Sequence, residues 1–374
     1  MKLIFTCGGT AGHINPAIAV ANLMKERHSD VEILFIGAKG HMEEKLVPNE
    51  GYELRCLPGA GLSRGKNLEA IKKNAHALKC TLEATSMCKK IIREFQPDVI
   101  IGTGGYASFP ALYEGAKMGI PTCVHESNAL PGLTTRMAAK HASRVLVAFQ
   151  ESVRYYDHPE KVEVVGMPVR KEFICESREE ARQKMNLGDR PLVVSAFGSL
   201  GAKVMNETMA ELFRLEQEAG FPYRHIHATG SFGWEWMPRL VAEKGVDLGK
   251  TEEIEMRQYI YNMPDLMAAA DVMISRSGAA TCNEIGAAGV PSILIPSPNV
   301  TNNHQEKNAR VLSDRGAAVL IPESECTAQK LFDEIQGMLA DKTRRENMRA
   351  TLHKLVRLDS AERICAIIEE LAEK

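Results

Sequence analysis

The sequence lacks several features that would place it in a class at once. No run of about 18 apolar residues occurs, so we do not expect the chain to cross a membrane. A strand-like run starts at Leu3, which leaves no room for a signal peptide. The net charge of −2 gives no overall field that would attract nucleic acid, and no nucleic-acid partner is expected. These absences favour a cytosolic protein, and they still allow one that rests on a membrane surface.

Signatures of bound metals and cofactors are also missing. The nine cysteines include no C-x-x-C pair, and an odd number cannot form a complete set of disulfides. We therefore expect free thiols in a reducing compartment. No G-K-S/T sequence is present to make a P-loop, and no acidic D-x-D motif is available for a metal ion. Neither a metal nor a cofactor is expected.

What the chain does contain is a regular alternation of short β-branched runs and helical stretches. At 374 residues, with 44% hydrophobic and 25% charged residues, it is long enough for two globular domains. The predicted strands are Leu3–Thr6, Glu32–Ile36, Glu53–Leu57, Asp98–Gly102, Pro121–His125, Arg144–Val147, Lys161–Val165, Leu192–Phe197, Arg224–Ala228, Ile254–Arg257, Val272–Ser275, Ser292–Ile295 and Ala318–Ile321. This alternation predicts an α/β fold with parallel sheets covered by helices on both faces. We place the domain boundary near Gly166-Met167-Pro168, and we expect the strandless tail to be helical.

Two glycine-rich loops each follow a predicted strand and open a helix. The first glycine loop is Gly8-Gly9-Thr10-Ala11-Gly12-His13, and the second glycine loop is Gly198-Ser199-Leu200-Gly201-Ala202. Such loops bring backbone N–H groups close to a ligand, beside the positive end of a helix. Two of them, half a chain apart, predict two Rossmann-like domains. The first loop is not G-x-G-x-x-G, and no acidic residue follows the second strand at Ile36, which argues against NAD.

Polar residues follow other strands of the first half. His13 stands at a helix start, where the positive helix end disfavours imidazolium, so a neutral histidine that accepts a proton is one interpretation. A histidine that only caps the helix is the other. The third glycine loop, Gly102-Thr103-Gly104-Gly105, and the segment His125-Glu126-Ser127-Asn128 lie at strand ends, where ligands bind in open α/β sheets. Each of these segments, taken singly, would also fit an ordinary turn.

The most specific segment of the second half runs from Arg276 to Glu284. Its small residues leave N–H groups at the helix start open to a phosphate. Thr281 and Glu284 share one helix face, and a carboxylate one turn into the helix suits a ribose diol. The alternative is that Glu284 only caps the helix. Downstream, Asn302-Asn303-His304-Gln305 follows a strand at the same predicted sheet edge.

The stretch from Gly61 to Phe95 combines an apolar stripe with many basic residues. The stripe consists of Leu68, Ile71, Ala75, Leu78 and Leu82, at three-and-four spacing. Basic residues outnumber acidic ones in this stretch, and they are Arg64, Lys66, Lys72, Lys73, Lys79, Lys89, Lys90 and Arg93. A helix of this type could rest on anionic lipid. Composition alone favours a domain helix that buries its stripe and keeps a solvated basic face.

Together these segments resemble the MurG family of glycosyltransferases. The matching stretches are Gly8–Pro16, Gly104–Pro110, His125–Asn128, Gly166–Arg170, Gly198–Ala202, Arg276–Glu284 and Asn303–Asn308. They occur in the family's order over about 300 residues. Two positions depart from the usual pattern. Ala11 replaces a commoner glycine, and Leu200 stands where glutamine is frequent. The resemblance implies the GT-B fold, in which two Rossmann-like domains face each other across a cleft.

The resemblance also implies domains and site residues. They are an N-terminal acceptor domain (1–166), a C-terminal UDP-GlcNAc domain (167–340), and final helices (341–374) that pack back on the N-terminal domain. His13 would be the catalytic base, with Glu126 as the second candidate. The implied substrate-binding residues are Thr10, Ala11, Gly12, Asn128, Arg170, Ser199, Ile260, Ala279, Ala280, Thr281, Cys282, Asn283, Glu284 and Gln305. Glu284 would bind the ribose, Ser199 a phosphate, and Gln305 the sugar.

The implied reaction is inverting transfer of N-acetylglucosamine from UDP-GlcNAc to the C4 hydroxyl of MurNAc in lipid I, which gives lipid II for peptidoglycan. Because lipid I is anchored in the membrane, the family favours the Gly61–Phe95 stretch as a contact with anionic lipid at the cytoplasmic face. Two alternatives remain. One is another GT-B enzyme, such as a UDP-GlcNAc 2-epimerase or a transferase with a small-molecule acceptor. The other is a nucleotide-sugar-binding regulator without catalysis.

Overall fold

The chain folds into two compact units. The computed structural model describes residues 1–58, 68–175 and 177–373. Unit 1 comprises Met1–Val169 together with Leu358–Lys374, and unit 2 comprises Arg170–Arg357. The division falls three residues beyond the boundary that the sequence predicts.

Unit 1 contains a parallel sheet of 7 strands. Its strands are β1 (Lys2–Thr6), β2 (Glu32–Ala38), β3 (Glu53–Leu57), β4 (Val99–Gly102), β5 (Thr122–Glu126), β6 (Arg144–Val147) and β7 (Val162–Val164). Their order in the sheet is β3-β2-β1-β4-β5-β6-β7. The register places Phe5 of β1 opposite Phe35 of β2 on one side and Ile101 of β4 on the other. The chain therefore winds outward in two directions from the neighbouring pair β1 and β4.

Helices cover both faces of this sheet. They are α1 (Ala11–Arg27), α2 (Glu43–Asn49), α3 (Leu68–Phe95), α4 (Ser108–Lys117), α5 (Leu133–Ala139) and, from the end of the chain, a helix over Ser360–Ala372. Alternate residues of β1 enter different cores. Leu3 and Phe5 pack with residues of α1, whereas Ile4 packs with residues of α3 and α4. This double burial explains why the strands are continuous apolar runs.

Unit 2 repeats the arrangement with 6 parallel strands. They are β8 (Leu192–Ala196), β9 (Arg224–Ala228), β10 (Ile254–Arg257), β11 (Val272–Ser275), β12 (Ser292–Leu294) and β13 (Val319–Leu320). The sheet order is β10-β9-β8-β11-β12-β13. The winding reverses direction between β8 and β11, which in open α/β sheets is where ligands bind.

The helices of unit 2 are α6 (Glu172–Cys175), α7 (Arg178–Lys184), α8 (Lys203–Glu218), α9 (Met237–Glu243), α10 (Met263–Ala269), α11 (Ala279–Ala288), α12 (His304–Ser313), α13 (Ala328–Ala340) and α14 (Lys342–Leu355); the helix over Ser360–Ala372 is α15. One core packs Phe213 of α8 and Ile335 of α13 against Val193 and Ile274 of the sheet. Every predicted strand is present, and its ends differ from the prediction by one or two residues at most.

The predicted domain of final helices, 341–374, is divided by the structure. Helix α14 belongs to unit 2, where a Cβ added to Gly286 of α11 would come within 2.0 Å of Val356. The Arg349 guanidinium of α14 also donates to the carbonyls of Gly289 and Ala270. Helix α15 packs in unit 1, and Ile368 lies in the same core as α1. The prediction is corrected accordingly, because close backbone approach to a glycine holds α14 on unit 2.

The longest helix of the described residues is α3. Among the described helices, none is long and apolar enough to span a bilayer.

Candidate active site

Unit 2 carries a pocket of about 660 Å³ at the carboxyl ends of its central strands. The residues that line it are Arg170, Phe173, Ala196, Gly198, Ser199, Ala228, Gln258, Tyr259, Ile260, Tyr261, Met263, Met267, Met273, Ser275, Thr281 and Glu284. Ala196 of β8 and Ser275 of β11 lie at the base, where the strand order reverses. Of the predicted contacts, Arg170, Ser199, Ile260, Thr281 and Glu284 meet here.

The second glycine loop forms one wall of this pocket. Its tight turn is closed by Gly201 N–H, which donates to the Gly198 carbonyl over 3.0 Å. Gly201 has φ of +80°, and a Cβ there would lie 2.1 Å from the Thr229 carbonyl oxygen. Only glycine permits this approach. Ser199 lines the pocket, whereas the side chain of the unusual Leu200 does not line it and is exposed to solvent.

The start of α11 forms the opposite wall. Gly278 is the N-cap, and the first intrahelical bond runs from Cys282 N–H to the Gly278 carbonyl over 2.9 Å. The N–H groups of Ala279, Ala280 and Thr281 therefore have no partner within the helix and point along its axis. Together with the helix dipole they make a binding site for a phosphate group.

Two of the predicted contacts on α11 have side chains that do not line the pocket, and their contact with the substrate stays a prediction. Cys282 and Asn283 are buried, and they face the interior rather than the pocket. The Asn283 side-chain amide donates to the Ala279 carbonyl over 2.8 Å. Burial raises the pKa of the Cys282 thiol to about 12. The helical period explains this, because positions adjacent to Thr281 and Glu284 turn away from the face they share.

Glu284 is the one carboxylate on the pocket wall formed by α11. Burial raises the pKa of Glu284 above its usual value, while the positive charge of Arg170 acts in the opposite direction. Arg170 lies at the pocket rim, with its guanidinium carbon 5.0 Å from the ring centre of Phe173. A carboxylate in this position can accept hydrogen bonds from two adjacent hydroxyls, as a ribose presents them.

Gln305 is not among the pocket-lining residues. It is half-buried, and its side-chain oxygen accepts from Ser297 N–H over 2.9 Å, while its carbonyl accepts from Ser277 Oγ over 2.8 Å. Gln305 therefore fixes the loop that follows β12. Its predicted contact with the sugar stays a prediction.

Part of the pocket consists of residues that were not predicted from the sequence. Gln258, Tyr259 and Tyr261 follow β10 and flank the predicted Ile260, and Phe173 and Met263 complete that side. The rings of Tyr259 and Tyr261 are 4.9 Å apart. Their position in the sequence could have indicated them, because Gln258, Tyr259 and Tyr261 directly follow the predicted strand Ile254–Arg257, and strand ends in such sheets are where ligands bind.

In unit 1 the first and third glycine loops are joined backbone to backbone. A Cβ on Gly105 would lie 2.3 Å from the Gly8 carbonyl oxygen. Ser108 Oγ donates to the Thr6 carbonyl over 3.0 Å, and Thr103 N–H donates to the same carbonyl. The two loops thus behave as one rigid edge at the ends of β1 and β4.

His13 lies on this edge with a defined orientation. Its Nδ1 is 3.0 Å from the Thr103 carbonyl oxygen, and Thr103 Oγ1 donates to the His13 carbonyl over 2.6 Å. A carbonyl can only accept, so Nδ1 carries the hydrogen and the neutral ring has its lone pair on Nε2. A Cβ on Gly104 would come within 2.6 Å of Nδ1, which explains the glycine there. The imidazole therefore contacts the third loop and does not cap its own helix.

Glu126 has a different environment from the one expected of a base. It is buried at the end of β5, and Oε1 accepts from the backbone and side-chain N–H groups of Asn128 while Oε2 accepts from Gly132 N–H. Both oxygens thus hold the turn that leads to α5. Three amide N–H groups of the protein therefore already donate to this carboxylate, which makes it a weaker proton acceptor, and its role as second candidate for the base stays a prediction.

The remaining predicted residues of unit 1 lie near this edge. Thr10 is exposed and is the N-cap of α1, where its carbonyl accepts from His13 N–H over 3.0 Å. Gly12 is in the first turn of α1, and the side chain of Ala11 lies outside what the structure describes. Asn128 is partly exposed beside Glu126. Their substrate contacts stay predictions.

His125, next to Glu126, is buried. Its Nε2–H donates to the Gly166 carbonyl over 2.8 Å, and burial lowers the pKa of its imidazole. This bond fastens the end of unit 1, close to the predicted boundary, to the centre of the sheet. Within the described residues, no group of three His, Cys, Asp or Glu side chains is placed to hold a metal ion.

Comparison with known proteins agrees with this geometry. Residues 3–147 match the glycosyltransferase family 28 N-terminal domain, and residues 192–364 match the glycosyltransferase family 28 C-terminal domain. The crystal structure of Acinetobacter baumannii MurG superposes with a TM-score of 0.78 at 24% identity, covering 99% of each chain. Two parallel α/β domains with a pocket at the switch point, in this family, define a GT-B glycosyltransferase.

The chain belongs to the MurG family within glycosyltransferase family 28. A relative from Acetivibrio thermocellus, named UDP-N-acetylglucosamine--N-acetylmuramyl-(pentapeptide) pyrophosphoryl-undecaprenol N-acetylglucosamine transferase, is 40% identical over 373 residues, which cover 99% of this chain and 98% of the relative. A UDP-GlcNAc 2-epimerase from Neisseria meningitidis matches at a TM-score of 0.65 and 13% identity, covering 100% of both chains. That likeness shows the shared fold alone.

Proposed function

We propose that the chain transfers N-acetylglucosamine from UDP-GlcNAc to the C4 hydroxyl of MurNAc in lipid I, with inversion, and so forms lipid II. The observation that carries the proposal is the pairing of a full-length relative of that name with a pocket suited to a nucleotide diphosphate. The donor and acceptor are taken from the relative's name.

The donor is proposed to bind in the pocket of unit 2. Its diphosphate would lie between the start of α11 and the second glycine loop, with Ala279, Ala280 and Thr281 donating N–H groups. Glu284 would accept from the ribose hydroxyls. The uracil would lie against Ile260, which is buried beside Tyr259. Arg170 is placed to approach the diphosphate from the rim.

His13 is proposed as the general base. The Thr103 carbonyl fixes Nδ1 as the protonated nitrogen, so Nε2 has the lone pair that a base requires. The acceptor C4 hydroxyl must come within about 3 Å of Nε2. As Nε2 takes the proton, the hydroxyl oxygen bonds to the anomeric carbon. The bond from that carbon to the diphosphate oxygen breaks on the opposite face, and UDP leaves with the electron pair.

Negative charge that develops on the departing UDP would be stabilised by hydrogen-bond donors whose positions are already fixed. The N–H groups at the start of α11 and the turn of the second glycine loop are held in place before the reaction begins. Such preorganised donors contribute roughly 3–4 kcal/mol each in measured cases. We propose that Glu126 positions Asn128, because its carboxylate accepts hydrogen bonds from the backbone and side-chain N–H groups of Asn128.

We further propose that the enzyme works at the cytoplasmic face of the cell membrane as a peripheral protein. Helix α3 exposes Lys72, Lys79, Lys89 and Lys90, and between them Leu82 is 66% exposed. A basic face with an apolar side chain at its centre suits an anionic lipid surface. Arg64 and Lys66 lie outside the described residues, and so do the side chains of Leu68, Ile71, Lys73 and Leu78.

The test is transfer of radiolabelled GlcNAc from UDP-GlcNAc to a short-chain lipid I analogue. We expect label in the lipid product, and we expect His13→Ala to lower kcat by about 10²–10⁴-fold because the base is lost. His158→Ala, which removes an exposed histidine elsewhere in unit 1, is the control. If His13→Ala keeps more than about a tenth of the turnover, His13 is not the base. Formation of UDP-ManNAc from donor alone would instead identify an epimerase.

A further inference from the structure

The interior of unit 2 contains a continuous chain of buried polar side chains, which we call the buried relay. It consists of Glu216, His225, Ser195, His227 and Asn206. In that order the four contacts are 2.7 Å from Glu216 Oε1 to His225 Nδ1, 2.8 Å from His225 Nε2 to Ser195 Oγ, 2.7 Å from Ser195 Oγ to His227 Nδ1, and 3.3 Å from His227 Nε2 to Asn206 Oδ1. All five residues are inaccessible to solvent. Burying this many polar groups is costly unless each is bonded.

The relay ends at the second glycine loop. Asn206 Nδ2 donates to the Thr229 carbonyl over 2.8 Å. That same carbonyl oxygen would lie 2.1 Å from a Cβ on Gly201, so the loop rests directly on it. The next residues bond to the loop as well, because Ser231 N–H donates to the Ser199 carbonyl and Phe232 N–H donates to the Leu200 carbonyl. Asn206 therefore holds the segment against which the loop is folded.

The hydrogen bonds of the relay can run in only one direction. The Thr229 carbonyl accepts, so the amide nitrogen of Asn206 must face it, and Asn206 Oδ1 faces His227. His227 Nε2 must then be protonated, which leaves a lone pair on Nδ1 if His227 is neutral. Burial, aided by the neighbouring His225, lowers the pKa of His227 to about 3, so the ring is neutral. Ser195 accordingly donates to His227 Nδ1.

This direction of the hydrogen bonds requires an additional proton at the Glu216 end of the relay. Ser195 donates to His227, so it must accept from His225, and His225 Nε2 is protonated. The remaining nitrogen, His225 Nδ1, is 2.7 Å from Glu216 Oε1. A neutral His225 would then place a lone pair against a carboxylate. The contact is favourable only if one more proton lies between the two groups.

We propose that Glu216 and His225 share this proton as a net-neutral pair, and that the relay so oriented positions the second glycine loop for the donor diphosphate. Tyr223 Oη donates to the same Glu216 oxygen over 2.9 Å, whereas the other oxygen of Glu216 has no partner among the described residues. An ionised carboxylate with so few donors, in an apolar core, needs a positive charge beside it. His225 supplies that charge. The positioning role rests on the function proposed above, while the proton count does not.

The protonation pattern is tested directly by nuclear magnetic resonance on the full-length protein labelled with ¹⁵N-histidine. We expect both His225 and His227 to carry hydrogen on Nε2, and His227 to be neutral. Spectra of His225→Gln and His227→Gln assign the two signals. A spectrum in which both rings carry hydrogen on Nδ1 alone would overturn the proposed direction and the additional proton with it. This readout does not depend on activity.

The positioning role is tested with two matched serine variants. Ser195→Ala removes the central hydroxyl of the relay, and Ser292→Ala removes a buried hydroxyl on β12 that donates to the Val290 carbonyl. Calorimetric titration with UDP should show Kd raised about tenfold by Ser195→Ala, which removes the two buried hydrogen bonds of that hydroxyl, and changed by less than about twofold by Ser292→Ala. Equal shifts in the two variants would overturn the positioning role.

A second pair of variants, at His227, distinguishes a role of the relay in positioning the loop from a general loss of core packing. His227→Gln keeps an N–H donor toward Asn206, whereas His227→Leu does not. We expect the glutamine variant to retain most of the UDP affinity, and the leucine variant to raise KM for UDP-GlcNAc with little change in kcat. If both variants behave alike, the relay only fills the core. If wild-type protein binds UDP yet transfers nothing to the lipid I analogue, the proposed function fails while the relay's role in UDP binding stands.

Discussion

At the scale of single residues, Glu284 shows that a carboxylate placed in a pocket for ligand binding can lower the stability of the folded protein. The pocket in which we propose that its carboxylate binds a ribose also withdraws that carboxylate from water, and the pKa of Glu284 rises as a result. A carboxyl group with a raised pKa makes the folded protein less stable once the pH exceeds that pKa, because the charged form is disfavoured in the fold. If Glu284 binds the donor as proposed, it does so at some expense of stability.

Glu284→Gln is therefore expected to change affinity and stability in opposite directions. At neutral pH the melting temperature should rise slightly, while KM for UDP-GlcNAc should increase roughly tenfold through the loss of a charged acceptor. In the wild type, donor affinity should also fall as the pH drops through the raised pKa, since the protonated carboxyl accepts less well. Kinetics across pH and thermal melts test this. A pH dependence that persists in the glutamine variant would contradict it.

Other residues show the limit of reasoning from sequence. The pattern Arg276 to Glu284 predicted a helix start at a binding site, and the structure places that helix start beside the pocket of unit 2. It could not separate Thr281, which lines the pocket, from Cys282 and Asn283, which are buried behind it. The orientation of His13 was equally hidden, because it is set by a carbonyl 90 residues away in sequence.

At the scale of elements, α3 buries a face that the apolar stripe did not predict. The residues that pack in the core with the sheet are Ala84, Cys88, Ile91 and Ile92, and Ala77 and Cys80 are buried as well. The described members of the predicted stripe, Ala75 and Leu82, are exposed instead. Small residues and cysteines let this helix lie close to the sheet, and larger apolar groups are left outside. The interpretation in which the domain buries the stripe does not fit these residues.

Reversing the charge of the exposed face of α3 tests its contact with lipid. Replacing Lys72, Lys79 and Lys89 by glutamate should weaken binding to phosphatidylglycerol vesicles at least about a hundredfold, since each basic residue near an anionic surface contributes about 1 kcal/mol. Vesicle co-sedimentation measures the effect. The control replaces Lys250, Lys330 and Lys342 of unit 2, all exposed lysines with the same change in charge. Equal binding of the two triple variants would exclude α3 as the contact.

At the scale of the whole molecule, the chain returns to unit 1 after completing unit 2. Helix α15 contributes Ile364, Ile367 and Ile368 to the core around α1. It is further fastened where Glu369 accepts from Arg27 and contacts His28, and where Arg363 pairs with Glu163. Unit 1 is thus complete only when the last residues of the chain are in place.

Two core substitutions should show whether the two units unfold in separate transitions. Ile368→Ala in unit 1 and Ile335→Ala in unit 2 both remove fully buried side chains, and each should cost about 2–5 kcal/mol. In scanning calorimetry, UDP should raise the transition of unit 2, which holds the pocket. We expect Ile335→Ala to lower that UDP-sensitive transition and Ile368→Ala to lower the other one. A single transition lowered equally by both variants would mean that the units unfold together.

The sequence by itself determined the positions of the strands, the parallel α/β class and the family. Short apolar β-branched runs that end in glycine or a polar residue specify a buried parallel strand locally, as Leu3–Thr6 and Val272–Ser275 do. Motifs at the strand ends then predicted the edges at which ligands would bind, and one of these edges carries the pocket of unit 2. These features depend on neighbours in the chain, which is why they could be predicted from it.

Only the tertiary structure decided what depends on residues that are distant in the chain. It placed α14 on unit 2 through Gly286 and Val356, fixed His13 through Thr103, and bonded both oxygens of Glu126 to amide groups. It also assembled the buried relay from β8, β9 and α8. Hydrogen-bond direction and burial are properties of the assembled core, because a donor or a proton is fixed only by the partner that folding brings to it.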